Sequence, residues 1–400
     1  MDGQTGPPYA AIDPYEIAWG GNRLGFVAET KDKSLHAVLD GKAGPAFHWV
    51  NWLRMTPDGA HYAFVVDKTL IVDGVSRGPI EAAAMGGAPY LLAPDGRVAY
   101  MKPGGNPPVV VVDGKEIPGA VPLSVVFKAD CKGFAYVKTT AAGGKVAVID
   151  GKAGLEYGQI TELQYSRSGR SAYVAQKAGL WFPVIDGVEG PGRNRVVEFR
   201  FSEDGSRYAY ETYMAAGPGA GFSVVVDGNA SPLYRSIEDQ ALTFSPDSRH
   251  YAYVAGTGYL QFHLVEDGND AALSGFGKFA ARRPPITLPF PRLLFSPDGS
   301  HLAYVGALAG GRGGVIVDGQ VWPPSPSYEF PVFSPDSRHF AVMAWAQGHI
   351  TAMVDGKTGP TYDDIPEVSM SVCRFIDNRT LRFLGVKQGR VYRVLVKLAD

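Results

Sequence analysis

The sequence predicts an all-β protein built from repeated units of four short antiparallel strands. Three observations support this fold class. The heptapeptide FSPDSRH occurs at 244–250 and again at 333–339, and FSPDGSH follows the same pattern at 295–301. An Asp-Gly pair closes a β-branched run in each unit, as in VVVDG at 224–228. No long stretch shows the period of a helix.

The first recurring turn separates strand a of each unit from strand b. It follows an aromatic or large apolar residue and precedes a short strand such as YAFVV at 62–66. Proline presets φ for the second position of a type I turn, and Asp or Gly suits the later positions. Ten such turns, 35 to 51 residues apart, are centred on Asn22, Asp58, Asp95, Asp130, Ser168, Asp204, Asp247, Asp298, Asp336 and Asn378.

The second recurring turn joins strand c to strand d. Asp-Gly between apolar runs predicts a type I′ hairpin, because that turn needs positive φ at both central residues. We therefore expect positive φ at each Asp and each Gly of these pairs. The aspartates are Asp2, Asp40, Asp73, Asp113, Asp150, Asp186, Asp227, Asp267, Asp318 and Asp355.

Four short strands in a unit of about 40 residues are typical of a β-propeller blade. Residues 1–400 are predicted to form one closed propeller of ten four-stranded blades, with two five-bladed rings as the alternative. The start of the chain, DGQTGPPY, matches DGKTGPTY at 355–362. Residues 2–12 are therefore predicted to pair with the blade built by 371–400 as its missing strand d. This "velcro" closure would cover the exposed strand edges.

The pattern FSPDG followed by AYV resembles the TolB-like β-propeller family, which is related to the WD repeats. It recurs in units along the whole chain, but the Trp-Asp dipeptide of WD repeats is replaced by Val-Asp-Gly. The resemblance implies a propeller fold and an extracytoplasmic bacterial location, periplasmic or secreted. The visible start carries no signal-peptide pattern. Such blades serve many tasks, so the motif does not specify a function.

Composition restricts the classes of partner. The net charge is −2 and the pI about 6.5, without the basic excess typical of nucleic-acid binders. No apolar run approaches the roughly 18 residues that span a bilayer. The two cysteines, Cys131 and Cys373, have neither metal-ligand spacing nor the pattern of a disulfide framework. We expect a monomer without metal or other cofactor.

The loops between strands b and c, and between d and the next a, vary in length and lie at the end of each blade opposite the turns. Variable loops on a rigid scaffold are the preferred place for recognition. The longest connection, 267–295, combines aromatic and basic residues typical of interface anchors. The alternative is that its phenylalanines pack between blades. The candidate binding residues are Phe276, Lys278, Phe279, Arg282, Arg283 and Phe290.

Charged residues on strand a are candidates for a site in the central channel. Carboxylates and arginines there suit a hydrolase or lyase, whereas inter-blade salt bridges are the alternative. The channel candidates are Glu16, Arg54, Glu162, Glu198, Arg200 and Arg374. No Gly-x-Ser-x-Gly motif is present, and no Ser-His-Asp set can be assembled from local motifs.

Four histidines share one repeat position at the start of strand b, namely His61, His250, His301 and His339. We interpret them as solvated strand starts and not as metal ligands, because neighbouring sheets lie roughly 10 Å apart. The aspartates of the recurring turns are interpreted as turn-forming residues and not as calcium ligands.

The leading hypothesis is a non-enzymatic binding or scaffold propeller that presents its loops to a protein, peptide or glycan. The alternative is a hydrolase or lyase in the channel.

Overall fold

The computed structural model describes residues 9–21, 23–81, 89–104, 109–215, 220–238, 242–258, 261–273, 292–307, 313–323, 325–346, 348–363, 373–388 and 390–398. They belong to two compact units, Met1–Tyr165 and Ser166–Asp400. The regular elements within these ranges are β-strands joined as antiparallel neighbours. Within the described ranges, no helix has the length and apolar character needed to cross a membrane.

The first unit contains four sheets of four strands and one further strand. The first sheet contains β1 (Ala11–Gly20), β2 (Arg23–Glu29), β3 (Leu35–Leu39) and β4 (Lys42–Ala43). The second contains β5 (Val50–Met55), β6 (Tyr62–Val66), β7 (Thr69–Val72) and β8 (Val75–Pro79). The third contains β9 (Tyr90–Leu92), β10 (Val98–Lys102), β11 (Val109–Val112) and β12 (Lys115–Ile117). The fourth contains β13 (Val126–Phe127), β14 (Phe134–Thr139), β15 (Lys145–Ile149) and β16 (Lys152–Tyr157), and the unit ends with β17 (Gln159–Tyr165).

The second unit continues the pattern. It begins with β18 (Ser171–Lys177), β19 (Leu180–Ile185) and β20 (Val188–Glu189), followed by β21 (Arg195–Phe201), β22 (Tyr208–Met214), β23 (Gly221–Val226) and β24 (Asn229–Ala230). The next sheet divides strand a into β25 (Ser236–Ile237) and β26 (Thr243–Phe244), which both pair with β27 (Tyr251–Gly258), before β28 (Gln261–Glu266) and β29 (Asn269–Leu273). Then come β30 (Arg292–Phe295), β31 (Leu302–Ala307), β32 (Gly313–Val317) and β33 (Gln320–Val321). The last two sheets contain β34 (Ser327–Phe333), β35 (Phe340–Ala346), β36 (His349–Val354) and β37 (Lys357–Tyr362), and then β38 (Cys373–Phe375), β39 (Thr380–Lys387) and β40 (Arg390–Lys397).

The predicted Asp-Gly hairpins are confirmed wherever the structure describes them. From Asp40 to Asp355, the nine aspartates have φ of 48–51° and the glycines that follow have φ of 74–86°. Both central residues therefore have the positive φ of a type I′ turn. Its twist matches that of the flanking strands, which explains why strands c and d form a tight hairpin in each of these sheets.

The core lies between successive sheets and is built mainly from strands b and c. Both faces of β18 are buried, whereas β16, a strand d, exposes five of its six residues. An alanine near the start of strand b packs toward the following sheet, as Ala341 does against Phe375 and Leu381. Small side chains at this position let neighbouring sheets approach closely.

Strand a carries a bulge that the sequence analysis did not predict. The pairing register shifts between Asn51 and Arg54, between Val197 and Arg200, and between Glu329 and Val332. In four of the a strands, a residue with positive φ lies six residues before the turn centre. These residues are Trp52, Glu162, Glu198 and Phe330, with φ of 53–56°. Such a conformation is unfavourable for non-glycine residues and releases a backbone N–H from the ladder.

The pairing of the first and last described strands limits where the predicted closing strand can lie. Ala11 and Ile12 pair with Glu29 and Ala28 in the first sheet, so a closing strand has to end before them; this corrects the boundary at residue 12. Residues 1–8 lie outside the described part of the chain. The last sheet contains three described strands, and Leu395 on its outer strand is 44% exposed. Closure of the ring remains a prediction.

Candidate functional site

The end of each sheet that carries the two recurring turns, called the turn end below, is held by the Asp-Gly carboxylate. Asp227 Oδ1 accepts a hydrogen bond from Tyr208 N at 2.9 Å, and its Oδ2 accepts one from Arg207 Nε at 2.8 Å. Asp40 and Asp186 make the same pair of bonds. Each carboxylate therefore joins the end of strand c to the start of strand b, and charge assistance strengthens the bond to arginine.

The four histidines at the start of strand b take the place of this arginine. Their Nδ1 atoms lie 2.5–2.7 Å from the Oδ2 atoms of Asp73, Asp267, Asp318 and Asp355, respectively. The interpretation as solvated strand starts is therefore incomplete, because each histidine has one specific carboxylate partner. The partner was missed since 12 to 17 residues separate the two side chains along the sequence.

The pair of His250 and Asp267 should make stability depend on pH. The hydrogen bond to Asp267 raises the pKa of His250 above its usual value of 6.5. A raised pKa in the folded state means that the contribution is complete below pH 6.5 and is lost as pH rises through the folded pKa. We expect His250→Gln to lower the urea midpoint at pH 5.5 and to lower it less at pH 8.5. The control is His48→Gln, whose side chain is fully exposed. A difference for His250→Gln that is constant with pH would contradict the argument.

The carboxylates of the Ser-Pro-Asp turns accept hydrogen bonds from residues of their own turns. Asp298 Oδ1 accepts hydrogen bonds from Ser296 Oγ at 2.7 Å and from Ser300 N at 2.9 Å. The Ser300 N–H and the serine hydroxyls hold the pKa of Asp298 well below its usual range. Asp204 has the same arrangement with Ser202 and Ser206. These aspartates stabilise the turns in which they lie.

The two FSPDSRH copies use serine where five other units have glycine, and the structure supplies the reason. Ser248 and Ser337 both have φ of 64°. Ser248 Oγ accepts a hydrogen bond from Asp204 N at 3.0 Å, and Ser337 Oγ accepts one from Asp298 N at 3.0 Å. Each serine thus connects its turn to the turn of the preceding sheet, a bond that glycine cannot make. The hydroxyl compensates for the unfavourable backbone conformation.

Glu16, one of the channel candidates, is committed to the backbone of the next sheet. It is 8% exposed, and its Oε2 accepts a hydrogen bond from Leu53 N at 2.7 Å. Leu53 follows Trp52, the residue with positive φ in the bulge of β5. Glu16 therefore satisfies an N–H in the bulge of the neighbouring strand a. This bond gives the carboxylate a structural role.

Arg54 lies in the same neighbourhood, around the buried Tyr90. The Tyr90 hydroxyl is shared between the carbonyl oxygens of Trp52 and Ala63, the latter at 2.8 Å. Burial raises the pKa of Tyr90, while Arg54 lowers it and Glu16 raises it. The structure therefore brings Glu16 and Arg54 near each other. Tyr90 was not among the residues selected from the sequence.

The remaining channel candidates fall on two repeat positions of strand a. Glu162 and Glu198 occupy the bulge position with positive φ. Arg200 and Arg374 are exposed and lie two residues further along their repeats, at the position of Arg54. Arg54 and Arg200 pair across the sheet with alanines, whereas Arg374 pairs with Arg382. The channel set is thus a repeat pattern of strand a, and one member differs from the others in its cross-strand partner.

The six candidate binding residues between 276 and 290 lie outside the described residues. The end of each sheet opposite the turn end, called the loop end below, is illustrated by two neighbouring sheets of the second unit. Leu180 is 37% and Leu233 48% exposed there. Lys177 Nζ lies 5.1 Å from the ring centre of Phe182, and the rings of Tyr213 and Phe222 are 4.7 Å apart. The loop end of each of these two sheets therefore carries aromatic rings and an exposed leucine.

The solved structures that resemble this chain include β-propellers. A eukaryotic initiation factor aligns over 85% of this chain and 96% of its own, with a TM-score of 0.46 and 14% identity. The Dos1 propeller aligns over 87% and 93%, with a TM-score of 0.39 and 11% identity. A putative TolB from Agrobacterium tumefaciens aligns over 62% and 94%, with a TM-score of 0.27 and 12% identity. No protein-family model and no curated protein matches the chain. At these identities the likeness concerns the fold alone.

Proposed function

We propose that this protein is a non-enzymatic binding propeller whose loop end takes up a protein, peptide or glycan. The observation that carries the proposal is the different use of the two ends of each sheet. At the turn end, the carboxylates of the described turns are engaged with the backbone, serine hydroxyls, arginines and histidines of the fold. The connections of variable length, which such a fold can change without losing stability, emerge at the loop end.

The composition of the loop end favours recognition. Interfaces are enriched in aromatic residues and arginine, and their anchors are rigid side chains. Tyr213 and Phe222 pack on each other, and Leu180 and Leu233 expose apolar surface at the loop end of their sheets. The long connection at 267–295 would extend this surface with Phe276, Phe279 and Arg282. Residues 274–291 of this connection lie outside the described part, so their role rests on composition.

The scaffold in this proposal is one ring of ten blades in which residues before Ala11 complete the last sheet. Support comes from β40, where Tyr392 and Leu395 are each 44% exposed although strand c is largely buried in other sheets. A fourth strand would cover this edge. Face-on class averages in electron microscopy would count the blades, and two rings of five would contradict the single ring.

The function is tested by probing peptide and glycan arrays with the labelled protein. The variant lacks residues 275–289, which are replaced by a short Gly-Ser linker, and the matched control is Arg338→Gln at the turn end. We expect the wild type and the control to bind a common set of spots and the loop variant to lose them. Retention of all spots by the loop variant would remove the long connection from the site. Turnover of any arrayed ligand that Glu16→Gln abolishes would replace the proposal by the channel enzyme.

A further inference from the structure

The last sheet departs from a rule that the other sheets follow on strand b. The second residue of strand b is alanine in eight sheets, and seven of these alanines are seen to pair with the penultimate residue of strand a. In the first sheet Gly25 pairs with Ala18, two residues before the end of β1. The alanines are Ala63, Ala99, Ala135, Ala172, Ala209, Ala252, Ala303 and Ala341, each at most 4% exposed. In the last sheet the residue that pairs with the penultimate residue of strand a, Arg374, is Arg382. The long arginine side chain cannot allow the close sheet packing that alanine allows at this position in the other sheets.

Arg382 is surrounded by charges of its own sign. Arg374 lies directly opposite it on β38, and like charges at that spacing destabilise a sheet. Arg393 lies on β40 two residues before Leu395, the direct partner of Arg382, and so occupies the diagonal position on the same face. Burial lowers the pKa of Arg382, and the positive charges of Arg374 and Arg393 lower it further. Three guanidinium groups from three adjacent strands therefore converge.

The opposite face of this sheet is an ordinary core. Cys373, Phe375, Leu381 and Phe383 pack against the preceding sheet there, together with alternate residues of β40. Side chains alternate between the faces of a strand, so the arginines belong to the other face. Arg374 and Arg393 are exposed. The arginine face is therefore not needed to hold this sheet on the preceding one.

The positive charges near Asp377 and near Arg382 have opposite consequences. The Arg379 N–H and the Thr380 hydroxyl lower the pKa of the Asp377 carboxyl, and the charge of Lys397 at the far end of β40 lowers it further. The charged groups that affect Arg382 among the described residues are both arginines. Grouped guanidinium groups cost electrostatic free energy unless an anion neutralises them, and the planar fork of arginine matches the oxygens of phosphate and carboxylate.

We infer that Arg374, Arg382 and Arg393 form a binding site for a small polyvalent oxyanion, a phosphate or carboxylate compound, on the face of the last sheet that is turned away from the preceding sheet. The convergence of three guanidinium groups calls for at least two negative charges on the ligand. The site uses residues of the second unit alone and is separate from the loop end. Failure of the anion site in the titration below would therefore leave the array test of the loop end unaffected, and the reverse also holds.

Isothermal titration calorimetry with pyrophosphate and with citrate, in a buffer of low ionic strength, tests the site. Arg382→Ala introduces the residue that other sheets carry, and Arg338→Gln removes an exposed arginine elsewhere. We expect binding by the wild type and by the control, about tenfold or more weaker binding by Arg382→Ala, and loss of affinity in added NaCl. Binding of pyrophosphate alone or of citrate alone would identify the phosphate or the carboxylate as the preferred source.

A second measurement separates this role from a structural one. Without anion, Arg382→Ala should unfold at the same urea concentration as the wild type or a higher one, because it removes repulsion. A clear fall in that midpoint would assign Arg382 to a structural ion pair and overturn the proposal. Equal affinity of all three proteins, or binding of neither anion by the wild type, would overturn it as well.

Discussion

Asp227→Ala is expected to lower the free energy of unfolding by about 2–3 kcal/mol. The substitution removes the bonds to Tyr208 N and Arg207 Nε, and it places alanine at a φ of 50°. A hydrogen bond to a charged group contributes about 1.5–3 kcal/mol, and partial exposure of Asp227 favours the lower value. The left-handed conformation adds about 1 kcal/mol for alanine.

The effect should extend beyond one sheet, because Arg207 also contacts the next one. Its Nη1 donates to Arg249 O at 2.6 Å, and its guanidinium carbon lies 5.4 Å from the ring centre of Tyr251. Urea unfolding followed by circular dichroism measures the loss. Asp227→Asn keeps an acceptor for Tyr208 N and tolerates the backbone conformation, so it should cost about half as much. Indistinguishable midpoints for Asp227→Ala and the wild type would show that the carboxylate does not hold the turn end.

Phe383→Ala is expected to cost about 3–5 kcal/mol, the largest effect among these substitutions. Phe383 is 2% exposed in the core between the last two sheets, and its ring lies 5.4 Å from that of Tyr362 in an edge-to-face arrangement. Removing the ring loses the transfer free energy of the buried atoms and leaves a cavity. The measurement is again the urea midpoint, together with the m-value to detect a change of cooperativity.

The neighbouring residue provides the matched control. Arg382 precedes Phe383 on β39 and points to the opposite face, so Arg382→Ala should leave stability unchanged or increased. The contrast tests the orientation of the last sheet: one face packed and apolar, the other charged. Equal destabilisation by both substitutions would mean that both faces are packed, contrary to the arrangement described.

The repeat could be predicted because its signals are local. Asp-Gly adopts positive φ at both residues for reasons of short-range sterics, so Asp227 and Gly228 form a type I′ turn in the structure as expected. The proline and aspartate of FSPDSRH likewise act within one turn, where the side chain of Asp247 accepts a bond from Arg249 N at 3.0 Å. Strands b and c follow from the apolar runs between these turns.

The candidate site was less predictable, since it depends on which side chains meet. Glu16 was selected as a channel residue, yet it accepts a bond from Leu53 N, 37 residues away, at a bulge that the sequence does not mark. The phenylalanines and arginines of the 267–295 connection were selected from composition, and residues 276–290 lie outside the described part. Arg374 was selected for its charge, whereas its significance comes from Arg382 opposite it.

By itself, the sequence determined the all-β class, the four-stranded unit and the type I′ turns, because backbone sterics act between adjacent residues. Only the tertiary structure decided that His250 pairs with Asp267, that Ser248 bonds to the turn of the preceding sheet, and that three arginines share one face of the last sheet. These contacts depend on strand register and on the approach of neighbouring sheets. Register and sheet packing are set by the burial of whole faces, which no short segment of the chain encodes.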